Sequence, residues 1–209
     1  MSATDIRVRG SGGPGDDPGM LLVILGPPAV GKMTVGRAVA DRSAFRLFHN
    51  HHSIELLLEV FDYGTPPFRT LNTEIRRRVI EEAAATGTDL VFTFVMGLDE
   101  QGEADYLERL VAPYGDRVAG VELVADLDIR LVRNRTEHRL AEKRSKRDVE
   151  WSDANVRQLD AEYRMVSEPG RDAPGERLLA RWPHLVLDNT DLPADEAADR
   201  ILAWLVTDR

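Results

Sequence analysis

The 209-residue sequence predicts a three-layer α/β fold, a five-stranded parallel sheet with helices on both faces. Three observations carry that expectation. An apolar run of strand length, Met20–Leu25, passes through a glycine-bearing turn into a helical pattern, Val35–Arg42. A later run, Asp89–Met96, is nearly continuous in apolar residues, as a strand buried on both faces requires. Helical patterns then alternate with short apolar runs to the end of the chain.

Residues 1–19 are rich in Gly, Pro, Asp and Ser and offer little to bury, so they read as a mobile tail before a domain over 20–209. The turn after the first strand reads Gly26-Pro27-Pro28-Ala29-Val30-Gly31-Lys32-Met33-Thr34. Glycines let the backbone curl so that successive N–H groups face an anion. The following helix start adds roughly half a positive charge. Lys32 can then reach the β- and γ-phosphates of a nucleotide. Strand, glycine loop, Gly-Lys and helix in that order make a phosphate-binding loop. Gly26, Ala29, Val30, Gly31, Lys32, Met33 and Thr34 are its candidate contacts. Met33 stands where a hydroxyl would ligate Mg²⁺, and a thioether is a poor ligand for a hard cation. Either Thr34 is the metal ligand, or water and nucleotide oxygens hold the ion.

The second strand is Phe45–Phe48, ending in His49-Asn50-His51-His52. Ligands collect at the carboxyl ends of strands in open parallel sheets. His49 and His51 are therefore candidate catalytic groups, because imidazole titrates near working pH. Helix capping is the plainer role for this cluster. Structural zinc is disfavoured, because the chain has no cysteine and no further clustered ligands. A helix over Ser53–Phe61, a loop over Asp62–Thr70 and a helix over Asn72–Ala85 follow, the last with Leu71, Ile75, Val79 and Ala83 as its apolar stripe. Of the consecutive Arg76, Arg77 and Arg78, at most two can face a cleft.

The third strand ends near Asp99 and Glu100, a place for a catalytic acid or a partner of magnesium-bound water, and Asp99 is a candidate general base; an exposed loop or helix-start carboxylate is the equal alternative. A helix over Glu103–Ala112 and a strand over Arg117–Val124 come next. From Arg130 to Arg147 eight cations fall within 18 residues of a chain whose net charge is −9. A basic, poorly apolar segment over about 134–150 suits an arginine-rich lid closing on phosphates. A solvated basic helix or an RNA contact would use the same residues. A helix over Trp151–Val166, a loop over Ser167–Gly175, a fifth strand over Trp182–Asp188, a sharp turn over 189–193 and a helix over Ala194–Val206 complete the chain.

Acidity argues against a sequence-independent nucleic-acid binder. The lack of cysteine fits a cytoplasmic protein. No apolar run approaches the roughly 18 residues of a membrane span, and the start does not read as a signal peptide.

The glycine loop, the arginine-rich segment and Leu187-Asp-Asn-Thr-Asp-Leu-Pro193 together resemble the nucleoside-monophosphate-kinase and shikimate-kinase-like group of P-loop kinases, over residues 20–209. The resemblance implies the P-loop NTPase fold, with ATP and Mg²⁺ as cofactors. It implies a base pocket lined by Asp188, Asn189 and Thr190. It also implies Arg133 stacked on the base, and Arg135 and Arg139 on the phosphates. Shikimate and gluconate kinases carry Asp-x-Asp at the end of the second strand; this chain reads His49-Asn50-His51 there.

The expected activity is transfer of the γ-phosphoryl of ATP to a hydroxyl of a small molecule, with Lys32, Arg135 and Arg139 neutralising the developing charge. Sugar, antibiotic, nucleoside and shikimate-like acceptors all remain open, as does the oligomeric state. A 5′-hydroxyl polynucleotide kinase and a nucleotide-binding regulator without transfer chemistry are the alternatives.

Overall fold

A computed structural model describes residues 18–136 and 149–207. The predicted tail therefore lies outside the described residues except at Pro18 and Gly19, as does most of the predicted lid, Arg139 included.

Five strands form one parallel sheet: β1 (Leu21–Leu25), β2 (Arg46–His49), β3 (Leu90–Thr93), β4 (Val118–Val124) and β5 (His184–Asp188). Their order across the sheet is β2-β3-β1-β4-β5. Registers run Leu21 beside both Leu90 and Val118, and Gly120 beside His184. Side chains alternate between the faces, and both faces are buried. Leu21, Val23 and Leu25 enter a core with Ile80, Phe92, Leu107 and Tyr114; Leu22 and Ile24 enter one with Val35, Val39, Ala198 and Ile201. Two covered faces explain why β1 is apolar at every position.

Among the described residues the α-helices are α1 (Lys32–Asp41), α2 (His51–Leu58), α3 (Pro66–Ala85), α4 (Gln101–Val111), α5 (Leu127–Asn134), α6 (Val149–Glu162), α7 (Pro174–Leu179) and α8 (Ala194–Thr207). Among the described residues, no helix is long and apolar enough to cross a membrane.

Several boundaries differ from the sequence reading. The loop expected over Asp62–Thr70 is helical from Pro66, because proline at a first helical turn needs no N–H partner and presets φ. The buried face of α3 carries Phe68, Arg76 and Ile80, while Leu71 and Val79 are exposed. Half of the expected stripe holds, Ile75 and Ala83 packing against the core, and Arg76 rather than Val79 joins them on the buried side. The third strand pairs only as far as Thr93, where β2 ends; Phe94, Met96 and Leu98 stay buried beyond the ladder. Helix α6 stops at Glu162 instead of Val166, and α7 was not foreseen.

Candidate active site

The glycine loop sits between β1 and α1, and its backbone explains its sequence. Gly26 has φ 129°, and a Cβ there would lie 2.3 Å from the Leu123 carbonyl oxygen. Gly31 caps α1 with φ 108°. Both are conformations that side chains resist. Ala29 nevertheless has φ 64°, the one non-glycine residue at positive φ among the described residues. The Val35 amide bonds the Gly31 carbonyl at 2.9 Å, which closes the first helical turn. The amides of Lys32, Met33 and Thr34 precede any possible i−4 partner in the helix, so they form its anion-facing end.

Lys32 is 92% buried and folds back on the loop, its Nζ donating to the carbonyls of Gly26 at 2.6 Å and Pro27 at 2.8 Å. Beside it a cavity of about 410 Å³ runs over the start of α1. One end is walled by Arg133, Thr136, Asn189, Leu192, Pro193 and Ala194; the other by Asn50 and Thr93. Ala29, Gly31, Lys32, Met33 and Thr34 form the floor.

The first wall is cross-braced. Arg133 donates to the carbonyls of Val30 at 3.1 Å, Asn189 at 2.6 Å and Thr190 at 3.0 Å. The Asn189 amide also donates to Val30 O at 2.9 Å. Asp188 is exposed and outside the cavity lining; the Thr190 amide and hydroxyl hold its carboxyl below the usual range. Of the predicted base-side residues, then, Arg133 and Asn189 line the cavity, and Asp188 and Thr190 shape the turn behind it.

Other predicted residues are brought elsewhere. Asp99 accepts from Arg164 at 2.8 Å and from Arg171 at 3.3 Å, and hydrogen bonding by Arg164 holds its carboxyl below the ordinary aspartate value. A carboxylate so engaged is a weak proton acceptor, and it does not line the cavity. Arg135 donates to Asp153 at 2.8 Å. Burial pushes the Asp153 carboxyl up, but the Asn134 and Arg135 donors outweigh it and hold it low. Fully buried Asn134 bonds Ser152 and Asp153 at 3.0 and 2.7 Å. These contacts pin together both flanks of the basic segment.

His49 is buried, its ring 3.6 Å from that of His52, and the Nδ1 of His51 lies 3.5 Å from Glu55. Neither lines the cavity; the residue between them, Asn50, does. Sequence reasoning missed Asn50 and Thr93. The available signal was position, since both stand at the carboxyl ends of adjacent parallel strands. It left open which of Arg76, Arg77 and Arg78 turns inward: Arg76 is buried and donates to Ser53 Oγ at 3.0 Å and to the Asn50 carbonyl at 3.0 Å.

No protein-family model matches the chain. A 65-residue stretch is 38% identical to shikimate kinase of Rhodococcus jostii (strain RHA1), covering 28% of this chain and 39% of that enzyme. The match therefore spans well under half of that relative's length. The fold is similar to that of a sugar kinase from Janibacter sp. HTCC2649, with TM-score 0.57, 19% identity and coverage of 90% of this chain and 95% of that one. It is also similar to a shikimate kinase from Acinetobacter baumannii solved with shikimate, with TM-score 0.55, 21% identity and coverage of 92% and 95%. The five-stranded parallel sheet with helices on both faces is the fold these kinases share.

Proposed function

We propose that the protein is an ATP-dependent phosphotransferase acting on a hydroxyl of a small molecule. The observation that carries this reading is the single cavity joining the start of α1 and Lys32 to the strand ends at Asn50 and Thr93. A triphosphate on the loop amides would point its γ-phosphoryl toward those strand ends. The base would lie on the cavity side of Arg133, stacked on its guanidinium and beside the turn after β5 to which Arg133 is bonded. The kinases similar in fold, and the short stretch shared with a shikimate kinase, support the class of reaction.

The acceptor oxygen would attack the γ-phosphorus as the bond to the β–γ bridging oxygen breaks, releasing ADP. The acceptor proton would pass to solvent, or through water to His51, which stands outside the cavity lining with its Nδ1 3.5 Å from Glu55. A loose transition state needs little base strength, so Lys32 and the loop amides would supply most of the stabilisation by neutralising charge. Arg135 could aid only by exchanging Asp153 for phosphate oxygens. Magnesium would neutralise charge on the β- and γ-phosphates. Thr34, exposed at the cavity floor, is the nearest hydroxyl that follows Lys32 and the candidate protein ligand.

The test is a metabolite screen for ATP-dependent gain of one phosphate, run beside Lys32→Ala. A product formed by the native chain and absent with the variant is the expected result. ATP turnover unchanged in the variant would overturn the reading.

A further inference from the structure

The donor set around the cavity does not suit a metal held by the protein. Magnesium bound by protein generally rests on one or two carboxylates together with substrate phosphates. Among the described residues that line this cavity, two are cationic, Lys32 and Arg133, and none is a carboxylate. The position after Lys32 is filled by the buried thioether of Met33, a soft donor. The side-chain oxygens that remain in the lining, on Thr34, Asn50, Thr93, Thr136 and Asn189, are all neutral.

The strand-end pair is also fixed in place. The Asn50 amide N–H donates to Thr93 Oγ1 at 3.2 Å, and Thr93 Oγ1 lies 3.5 Å from Asn50 Oδ1. The Asn50 carbonyl accepts from Arg76 at 3.0 Å, and Ser53 Oγ lies 3.3 Å from it. Ser53 Oγ in turn donates to Asn72 Oδ1 at 2.6 Å. Arg76 is 94% buried, and among the described residues no carboxylate pairs with it. A divalent cation resting on Asn50 would thus meet the positive field of Arg76 behind it and of Lys32 beside it. Desolvation strengthens that repulsion.

We propose that this cavity binds the nucleoside triphosphate as a bare polyanion, the metal adding little to affinity, because neutral Asn50 and Thr93 stand at the strand ends with Arg76 behind them. The inference rests on the nucleotide reading above and concerns how that same site meets its charge. Metal on the phosphates halves the formal charge of the triphosphate. Among the described residues the lining carries only positive charges, so that halving removes attraction and gains at most the neutral Thr34 hydroxyl in exchange.

The experiment is titration calorimetry of the full chain with ATP, once in excess EDTA and once in excess MgCl₂. The two dissociation constants are expected to agree within about threefold. Asn50→Asp places a carboxylate at the same strand end with little change in volume. It is expected to weaken binding of metal-free ATP at least about tenfold while sparing Mg-ATP, so that binding becomes metal-dependent. Native protein that binds ATP tenfold or more tightly with magnesium would overturn the inference and leave the nucleotide reading standing. No heat of binding in either buffer would overturn both. The native comparison does not depend on whether the variant folds.

Discussion

Arg133 Nη2 donates to the Asn189 carbonyl at 2.6 Å while Arg133 Nη1 reaches Val30 O at 3.1 Å, so one guanidinium ties α5, the glycine loop and the turn after β5 together. Lysine has the charge but not the fork. Arg133→Lys is expected to destabilise the fold by roughly 1–3 kcal/mol, the cost of orphaned carbonyls at a part-buried site. Thermal melts should fall by roughly 2–4 °C for each kcal/mol. ATP affinity should fall as well, because the wall is no longer held. An unchanged melt would show that the brace contributes nothing.

Lys32 tests the phosphate assignment. Without phosphate its ammonium is spent on two loop carbonyls, Gly26 O and Pro27 O. Lys32→Ala removes those bonds at the rim of a loop that Gly26 and Gly31 still shape, so the stability loss should stay near ~1 kcal/mol. Phosphoryl transfer should fall at least ~10²-fold, because the lost charge acts on the transition state. Circular dichroism alongside turnover separates the two effects. A folded variant with native turnover would remove Lys32 from the chemistry.

Much of this arrangement was legible from residue order. The strand–loop–helix unit and the buried parallel strands follow from local spacing, and the sheet forms as their patterns require. The cavity was only half legible. Its glycine loop is contiguous in sequence, whereas Asn50 and Thr93 meet only because β2 and β3 pair in register, His49 beside Thr93. The pairing of Asp99 was hidden for the complementary reason. A carboxylate near a strand end looks free until Arg164, distant in sequence, folds onto it. Arg76 hid among three arginines: Arg77 and Arg78 pair with Glu74, Glu81 and Glu82 on the surface, while Arg76 turns inward.

His184 on β5 gives the fold a pH dependence. Its Nε2 lies 3.8 Å from a carboxylate oxygen of fully buried Glu122, whose other oxygen accepts from the Ser167 amide and hydroxyl. Burial pushes the imidazole below its ordinary value of 6.5, against the pull of Glu122. The unfolded chain therefore binds the proton more readily. Stability should be full above pH 6.5 and fall as pH drops below it, by at most about 1.4 kcal/mol per pH unit, down to the folded value. Urea unfolding between pH 7.5 and 5 measures it. His184→Gln should flatten that window, and a slope unchanged in the variant would assign it to other groups.

Ala29 holds a left-handed conformation that glycine would take without strain, and the expected effect of substitution depends on magnitudes. Relief of that strain is worth about 1–2 kcal/mol. Ala29→Gly also frees the unfolded backbone, at about 0.5–1 kcal/mol. It deletes a methyl group packed against Leu131 and Val156, worth about 0.8 kcal/mol. The three nearly cancel, so Ala29→Gly should sit within about 1 kcal/mol of the native chain. Ala29→Val has no such compensation, since a β-branched residue resists positive φ and the site is already packed. It should cost at least ~2 kcal/mol. The methyl group also links the anion loop to α5 and α6, so the glycine variant should bind ATP more weakly despite near-native stability. Urea midpoints with ATP titrations check both claims. A neutral valine variant would mean that residue 29 does not hold this conformation in solution.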